Sequence, residues 1–413
     1  MKLAPARLVP IEDKDQHQVR FALERASGRA EFFFRSQEIA LHPNNEAFVA
    51  AALTACMFTG HDIQLQGSMS RRLLDSIPTI THMFQTWSPH LRRITVSGAE
   101  PVERQPAQGG RVGVFFSLGV DSFFTLMRRR EEITDLIHIV GYFERLGRVG
   151  PASWDVQPLL QSVADALGKR LIIVHTDLRR LYDRPGIHWN NHGYGPTMAA
   201  VGHVLYPEFK RVYIASGHDW TMLLPSASHP LLDPLWSSEG LEVVHDGLEF
   251  SRLDKLQLLA NEDLVTQALR VCSRRPPSQR NCGQCEKCIR TMIGLLMAGS
   301  TAPSAAFDTP LDPARVVRMQ LPSPILIQIA TRNLRDLEAA GRWPELTASL
   351  RRALRRARWR EAAWQLLETS LPPVYHLLRR IRRVTHVHWD ERGRSVGEMV
   401  RLFFSRHGVG GEP

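Results

Sequence analysis

The densest chemistry in this chain lies between residues 272 and 288, where Cys272, Cys282, Cys285 and Cys288 are separated by nine, two and two residues. Four thiolates can close a tetrahedral shell around zinc, and CxxC steps on a turn bring sulfurs to the separation that such a shell requires. The shell leaves no open coordination position, so the spacing predicts a structural rather than a catalytic metal. Polar neighbours (Arg274, Arg275, Gln279, Arg280, Glu286 and Lys287) suit a zinc knuckle at the surface. A redox-active thiol pair and an iron–sulfur cluster use the same residue type and stay open at this level. The fifth cysteine, Cys56, falls in an apolar run and is expected in the core. An odd, clustered set argues against a disulfide scaffold.

A second stretch, "VFFSLGVDSFFTLM" from Val114, breaks an apolar run at Ser117 and resumes with helical spacing after Ser122. Small polar residues between a buried strand and a helix make a turn at which backbone N–H groups and a helix N-terminus can hold phosphate. Gly119 lets the backbone approach an anion, Ser117 and Ser122 offer hydroxyls, and Asp121 can cap the turn or organise a metal on phosphate. Neither GxxxxGK[ST] nor GxGxxG occurs, so this is not a Walker loop or a dinucleotide fingerprint. A tight strand-to-helix turn with an ordinary cap has the same composition.

"SLGVDS" resembles the SGGxDS loop of the PP-loop ATP pyrophosphatases, with Leu118 where that family usually has its first glycine. The resemblance implies that Ser117, Leu118, Gly119, Val120, Asp121 and Ser122 bind ATP with Mg²⁺, and that ATP is cleaved between its α and β phosphates. A loop of this kind on the first strand, with a four-cysteine site after the last, is similar in order to the 7-cyano-7-deazaguanine synthases. Those enzymes convert a deazaguanine carboxylate to a nitrile with ammonia and ATP, and the similarity runs from about Arg111 to Met297. Within it "RLDKLQLL" matches a basic segment, implying that Lys255 and Arg252 reach the ATP phosphates. Ser117, Asp121 and Lys255 would then carry catalysis, and the cysteines would hold Zn²⁺. Taken alone, Lys255 reads equally as a solvated lysine on a helix. Positions that line the resembled substrate pocket carry Asp177, Asn191, His192, His218 and Asp219 here, beside His188 and Asn190. Their types depart from the synthase pattern, so the location carries over and the substrate does not. Each histidine also reads as a structural loop residue.

These residues need elements to hold them. At 413 residues the chain exceeds one average domain, and 43% hydrophobic with 23% charged residues suits a globular protein with a real core. Five apolar, β-branched runs begin at Arg111, Leu136, Arg170, Arg211 and Leu241, with helical stretches at 122–132, 156–167 and 196–205 between them. Strands that are apolar throughout predict a parallel sheet covered on both faces. Right-handed crossovers make this a doubly wound, five-stranded α/β fold whose ligands sit at the carboxyl ends of the strands. The predicted ATPase domain spans 107–300 and includes the cysteines. Residues 1–106 read as a small α+β domain or an elaboration of the next one. There, β-like runs ("RAEFFFRS", "DIQLQGS", "LRRITVSG") alternate with helices at 45–58 and 70–87, and a polar linker lies at 100–111. Residues 301–413 read as helical, with breaks at Pro322, Pro324, Pro372 and Pro373.

The expected function is that of an ATP-dependent, AMP-forming ligase that makes a carbon–nitrogen bond on a carboxylate-type acceptor. About a hundred extra residues at each end point to a substrate other than the synthases', and a larger one. A sulfur-inserting enzyme acting on tRNA is the leading rival, and a degenerate nucleotide-binding scaffold the non-enzymatic one. The formal net charge is +10, and residues 301–413 hold 19 arginines, no lysine and 11 acidic groups. Leu350, Leu354, Ala357 and Trp364 form one stripe there, while Arg351, Arg352, Arg355, Arg358 and Arg360 fall mainly on other faces; a second basic cluster starts at Leu377. The face is either a solvated one or a dock for tRNA or an acidic peptide or protein. A homodimer is the expected self-association. The absence of an apolar leader or membrane-length run gives the cytoplasm as the expected compartment.

Overall fold

The computed structural model describes residues 3–12, 15–142, 156–182, 185–272, 274, 280–303 and 305–370. Pro372, Pro373, the basic cluster from Leu377, and Arg275 and Gln279 lie outside the described residues. Two compact units result, Met1–Arg270 and Val271–Pro413.

The first unit is α/β, with a large, mostly parallel sheet. Its strands are β1 (Ala6–Ile11), β2 (Gln18–Arg25), β3 (Gly28–Arg35), β4 (Ile63–Gln64), β5 (Ser68–Ser70), β6 (Val96–Ser97), β7 (Glu100–Val102), β8 (Arg111–Phe115), β9 (Asp135–Val140), β10 (Arg170–Thr176), β11 (Phe209–Ala215) and β12 (Glu242–Asp246). The helices are α1 (Asn45–Thr59), α2 (Arg71–Trp87), α3 (Val120–Arg128), α4 (Gln157–Leu167), α5 (Tyr194–Val204), α6 (Arg252–Leu259) and α7 (Asp263–Ala268). Among the described residues ten strands form one sheet, in the order β12-β11-β8-β9-β10-β3-β2-β1-β4-β6.

Five neighbouring strands, β8 to β12, are the five apolar runs of the sequence, all parallel. The expectation of a five-stranded sheet is corrected by the five further strands that extend it. β3 pairs antiparallel with β10, and the β1–β2–β3 meander carries the sheet onward. Residues 1–106 are therefore an elaboration of the same sheet. β1 and β2 escape the apolar-run criterion because they alternate: β2 buries Val19, Phe21 and Leu23 and points Arg20 and Glu24 the other way. Phe21 stacks on Phe48 of α1 with ring centroids 4.8 Å apart.

Helix α1 is buried over nearly its whole length, which its alanine-rich, all-round apolar sequence requires. Asn44 Oδ1 caps it by accepting from Ala47 N at 2.8 Å, and Gly60 ends it at φ +76°. At the amino end of the parallel strands, Asp135 is wholly buried between Arg111 Nε (2.9 Å) and Arg170 Nε (2.7 Å). This clamp fastens β8, β9 and β10 at the end opposite the loops that matter below.

The second unit is helical: α8 (Glu286–Met297), α9 (Pro313–Arg318), α10 (Pro324–Ala340) and α11 (Pro344–Ser370). Leu350, Leu354 and Ala357 face a core with Ile289, Ile293, Val316 and Leu337, as the stripe on α11 predicts, while Trp364 is only half-buried. The cysteine segment packs with these helices, where the sequence grouped it with the parallel strands. Short polar loops give no periodic signal of which neighbour they join.

Candidate functional site

β8 ends at Phe115 and α3 begins at Val120, so residues 116–119 make the turn. Its own serines hold it. Ser122 Oγ accepts from Ser117 N (3.3 Å), donates to the Gly119 carbonyl oxygen (3.1 Å) and lies 3.4 Å from Ser117 Oγ. Leu118 has φ +61°, in the left-handed region that favours glycine, and its side chain is fully buried. Its carbonyl oxygen accepts from Arg270 N at 2.8 Å. The leucine thus keeps the backbone shape that a glycine would take and anchors the loop in the core. Gly119 has an ordinary φ of −81°. A Cβ there would meet Ser117 Oγ at 3.3 Å, so the glycine chiefly keeps space open above the turn.

The strand order reverses at this point. From β8 the chain runs through α3 to β9 and β10, then returns to place β11 on the other side of β8. The crevice outside the carboxyl ends of β8 and β11 is the position at which open α/β sheets bind ligands. The loop after β8 holds Ser117 to Ser122, and the loop after β11 holds Ser216, Gly217 and His218.

Helix α6 supplies the cations. Its start is fixed by a capping box: Ser251 Oγ accepts from Asp254 N (3.2 Å), and Asp254 Oδ2 accepts from Ser251 N (2.8 Å). Arg252 and Lys255, three residues apart, share a helix face. Arg252 Nη1 donates to Asp121 Oδ2 at 3.2 Å, and Lys255 Nζ to Asp121 Oδ1 at 3.3 Å. Lys255 Nζ also donates to the Ser216 carbonyl oxygen at 2.5 Å and sits 5.7 Å from the centroid of the Phe124 ring. The Lys255 side chain is 2% exposed against 26% for Asp121, so a buried ammonium points at a reachable carboxylate. Burying a cation is costly unless it is paired and hydrogen-bonded, and these three contacts supply that.

Asp121, Arg252 and Lys255 are therefore brought together, with Ser117 in the same loop as Asp121. Ser216 and Phe124 were missed. A backbone carbonyl has no residue signature, whereas Phe124 was findable at three residues beyond Asp121 on α3. The substrate candidates are more scattered. Asp177 follows β10, two strands from β8, and spends its carboxylate on Phe33 N (3.1 Å) and Arg180 Nη1 (2.8 Å). His192 is buried; its Nδ1 accepts from His188 N (2.9 Å), which leaves the proton on Nε2 to donate to Ser88 Oγ (2.8 Å). Burial, then the neighbouring His90 and His188, push its pKa down to about 4, so it is neutral. Asp219 Oδ1 accepts from Thr221 N (2.9 Å) and Thr221 Oγ1 (2.6 Å), an N-cap. Asn191 is exposed, and half-buried His218 accepts Ser216 Oγ–H at its carbonyl. Asp177, His192 and Asp219 hold structure, and of the five only Asn191 is exposed.

The second unit holds the cysteines. All four sulfurs lie within 4.8 Å of one another, with Sγ–Sγ distances of 4.0 Å (Cys272–Cys285), 3.8 Å (Cys282–Cys288) and 3.3 Å (Cys285–Cys288). Zinc–sulfur bonds of about 2.3 Å in a tetrahedron put the sulfurs about 3.8 Å apart, so the cluster is shaped for a metal ion and consistent with zinc. Backbone N–H groups point at the sulfurs: Arg274 N at Cys272 (3.3 Å), and Gln284 N (3.4 Å) and Cys285 N (3.3 Å) at Cys282. Cys285 N-caps α8, whose N-terminus further favours thiolate. Thiol hydrogen bonds, first from Cys272, pull Cys282 down to about 6 and Cys285 lower still; Cys272 and Cys288 rise in return. The shared protons are those a metal ion would replace.

Two residues outside the motif frame it. Asn281 is wholly buried; its Oδ1 accepts from Val271 N (2.8 Å) and Cys272 N (3.1 Å), and its Nδ2 donates to the Ala306 carbonyl (2.9 Å). Gly283 turns at φ +67°, and a Cβ there would run into the Thr309 carbonyl oxygen.

No protein-family model matches this chain, and neither a curated protein nor a solved structure is significantly similar to it. No helix among the described residues is long and apolar enough to cross a membrane.

Proposed function

We propose that the crevice between the loops after β8 and β11 binds the triphosphate of ATP and transfers AMP to a carboxylate-type acceptor, releasing pyrophosphate. A nitrogen nucleophile then displaces AMP to form a carbon–nitrogen bond, as the resemblance to PP-loop pyrophosphatases and 7-cyano-7-deazaguanine synthases suggests. The observation that carries this reading is the convergence of Arg252 and buried Lys255 on Asp121, above a glycine-opened turn at the strand-order reversal. Two cations and the N-terminus of α3 make a seat for a polyanion. Open space at Gly217, where a Cβ would meet nothing within 4 Å, faces the same requirement on the β11 side.

The chain's roles follow from charge. Lys255, held by Ser216 and ringed by Phe124, would neutralise charge that develops on the leaving pyrophosphate; Arg252 would orient it. Asp121 and the Ser117 and Ser122 hydroxyls are hard oxygen donors of the kind Mg²⁺ takes alongside phosphate, and the ion would supply further charge neutralisation there. The cysteine cluster, with four thiolates and no open position, would hold zinc structurally. Sulfur insertion is disfavoured by the thiols themselves. Cys56 is buried and its pKa is pushed up to about 12 by that burial, so it is a poor nucleophile, and the other four share the metal-type cluster.

The test is to supply ATP, ammonium and a panel of carboxylic acids and follow the nucleotide products. AMP and pyrophosphate are expected, with Lys255→Met lowering turnover by roughly a hundredfold or more. Release of ADP and phosphate overturns the adenylation reading.

A further inference from the structure

The edge of the sheet carries an imidazole that the phosphate seat does not use. His245, the penultimate residue of β12, has a side chain only 6% exposed. Its Nδ1 donates to Asp233 Oδ2 at 2.7 Å. Asp233 is wholly buried and also accepts from Ser228 Oγ (2.6 Å) and His229 N (3.2 Å), so all three contacts use it as an acceptor. A carboxylate so held keeps the imidazole hydrogen on Nδ1, and a neutral ring then presents a lone pair at Nε2. That Nε2 is buried, and it meets no hydrogen-bond partner among the described residues. Buried polar atoms are rarely left so; this one calls for a donor small enough to reach it.

Its position narrows the donor. The connection from β11 to β12 begins at Ser216, whose carbonyl holds Lys255 Nζ. Ser216 N donates to the Asp246 carbonyl at 2.8 Å, so His245 is one residue from the backbone that carries the lysine's partner. The Asp246 side chain turns to α3, where it accepts from Thr125 Oγ1 (2.9 Å). Strand alternation therefore sends His245 to the opposite face of the sheet. The phosphate seat and the imidazole thus flank the carboxyl ends of β11 and β12 from two sides.

We propose that the Asp233–His245 dyad receives ammonium and draws off one proton, supplying the ammonia that displaces AMP in the ligase reaction. Ammonium keeps its proton at neutral pH and has no lone pair with which to attack. The Nε2 lone pair forms the new N–H bond, the N–H bond of ammonium breaks, and its electron pair stays on nitrogen. Ammonia then attacks the acyl carbon, AMP leaves with the bonding pair, and the added nitrogen sheds a proton to give the amide. The positive charge passes to an imidazolium that lies against the Asp233 carboxylate, which is cheaper than a buried ion without a counterion. Asp233 is the positioning residue of the pair. A buried Nε2 suits a donor the size of water, as ammonium is and an alkylamine is not. This inference rests on the adenylation reading and adds the nucleophile and its base.

Two measurements on the full-length protein test it. In the first, ring-¹⁵N histidine spectra are followed as ammonium chloride is added, with bulky tetramethylammonium chloride as the ionic-strength control. The Nε2 resonance that His245→Gln removes should start at the position of an unprotonated nitrogen and move saturably with ammonium alone. No movement, as a resident water would give, or equal movement with both salts overturns the ammonium site. In the second, an acid that supports AMP formation is offered with ammonium or with hydroxylamine, which is largely unprotonated at neutral pH and needs no base. His245→Gln should lower ammonium-dependent turnover by roughly a hundredfold or more and hydroxylamine-dependent turnover only slightly. Equal loss with both nucleophiles overturns the base. If no acid yields AMP with the wild type, the adenylation reading fails, and the spectra alone decide whether the dyad takes ammonium. Should His245→Gln not fold, Asp233→Asn replaces it in both measurements. It should move the ring hydrogen towards Nε2 and lower turnover with ammonium selectively; an unchanged tautomer and unchanged ammonium use overturn the dyad.

Discussion

Leu118 offers a test in which the strain and the packing of the candidate loop pull in opposite directions. It occupies φ +61° with a side chain that is fully buried. The left-handed backbone costs a residue with a Cβ about 1–2 kcal/mol. Removing a buried leucine side chain to alanine costs about 2–5 kcal/mol, depending on how far the site collapses. Leu118→Ala loses the packing and keeps the strain. Leu118→Gly loses the packing, sheds the strain and pays about 0.5–1 kcal/mol for a freer unfolded chain. Both variants should therefore be less stable than the wild type, by about 2–5 kcal/mol for alanine and up to about 1 kcal/mol less than that for glycine. The glycine variant should nevertheless lie up to about 1 kcal/mol above the alanine variant, the reverse of the usual helix or strand order. Thermal and urea melts followed by circular dichroism rank the three proteins. An alanine variant more stable than the glycine variant by about 0.5–1 kcal/mol refutes the left-handed turn. A variant as stable as the wild type refutes the anchoring of the loop by its side chain.

If the cluster holds zinc as proposed, Gly283→Ala should lose most of the metal that the wild type carries, measured by atomic absorption, because φ +67° and the Thr309 carbonyl leave no place for a Cβ; metal content equal to the wild type's contradicts the geometry. Cys285→Ser or a strong chelator should lower the stability of the helical unit by several kcal/mol, since metal binding and folding of such a site are one equilibrium. His192 is neutral in the folded chain, with a pKa of about 4 against an ordinary value of about 6.5. The unfolded state therefore takes up the proton first, and stability present above pH ~6.5 is lost as pH falls towards 4. His192→Gln should flatten that limb by on the order of 2–3 kcal/mol, and an unchanged acid profile counts against a buried neutral ring. On α11, Arg356 donates to the Val317 and Met319 carbonyls and Arg351 pairs with Glu338. Arg356→Glu should thus destabilise by about 1–3 kcal/mol, whereas the exposed pair Arg352→Glu and Arg355→Glu should shift stability by less than about 0.5 kcal/mol. Only the second pair therefore tests polyanion docking cleanly, by loss of retention on a heparin column at low salt.

What the sequence decided by itself is what chain neighbours and periodicity can carry. The five parallel strands were legible because burial on both faces demands unbroken apolar runs, and α1 because an all-round apolar helix has nowhere to sit but inside. CxxC steps bring sulfurs together through a local turn, so the cysteine cluster needed little more than its own spacing. The loop from Ser117 to Ser122 was legible as a turn for the same reason. Tertiary structure decided everything that depends on chains distant in sequence. β1 and β2 joined the sheet through alternating residues whose apolar face is defined only once α1 lies against it. Lys255 became a buried cation rather than a solvated one because Ser216 and Asp121, 39 and 134 residues earlier, surround its ammonium group. Asp177, His192 and Asp219 turned out to hold backbone, since a polar side chain near a strand end meets whichever donor folding brings first. Arg351, Arg356, Arg358 and Arg360 became stitches to α9, α10 and the turn between them, not a free basic face. A charge in sequence fixes what a group can bind; only the packing around it fixes what it has already bound.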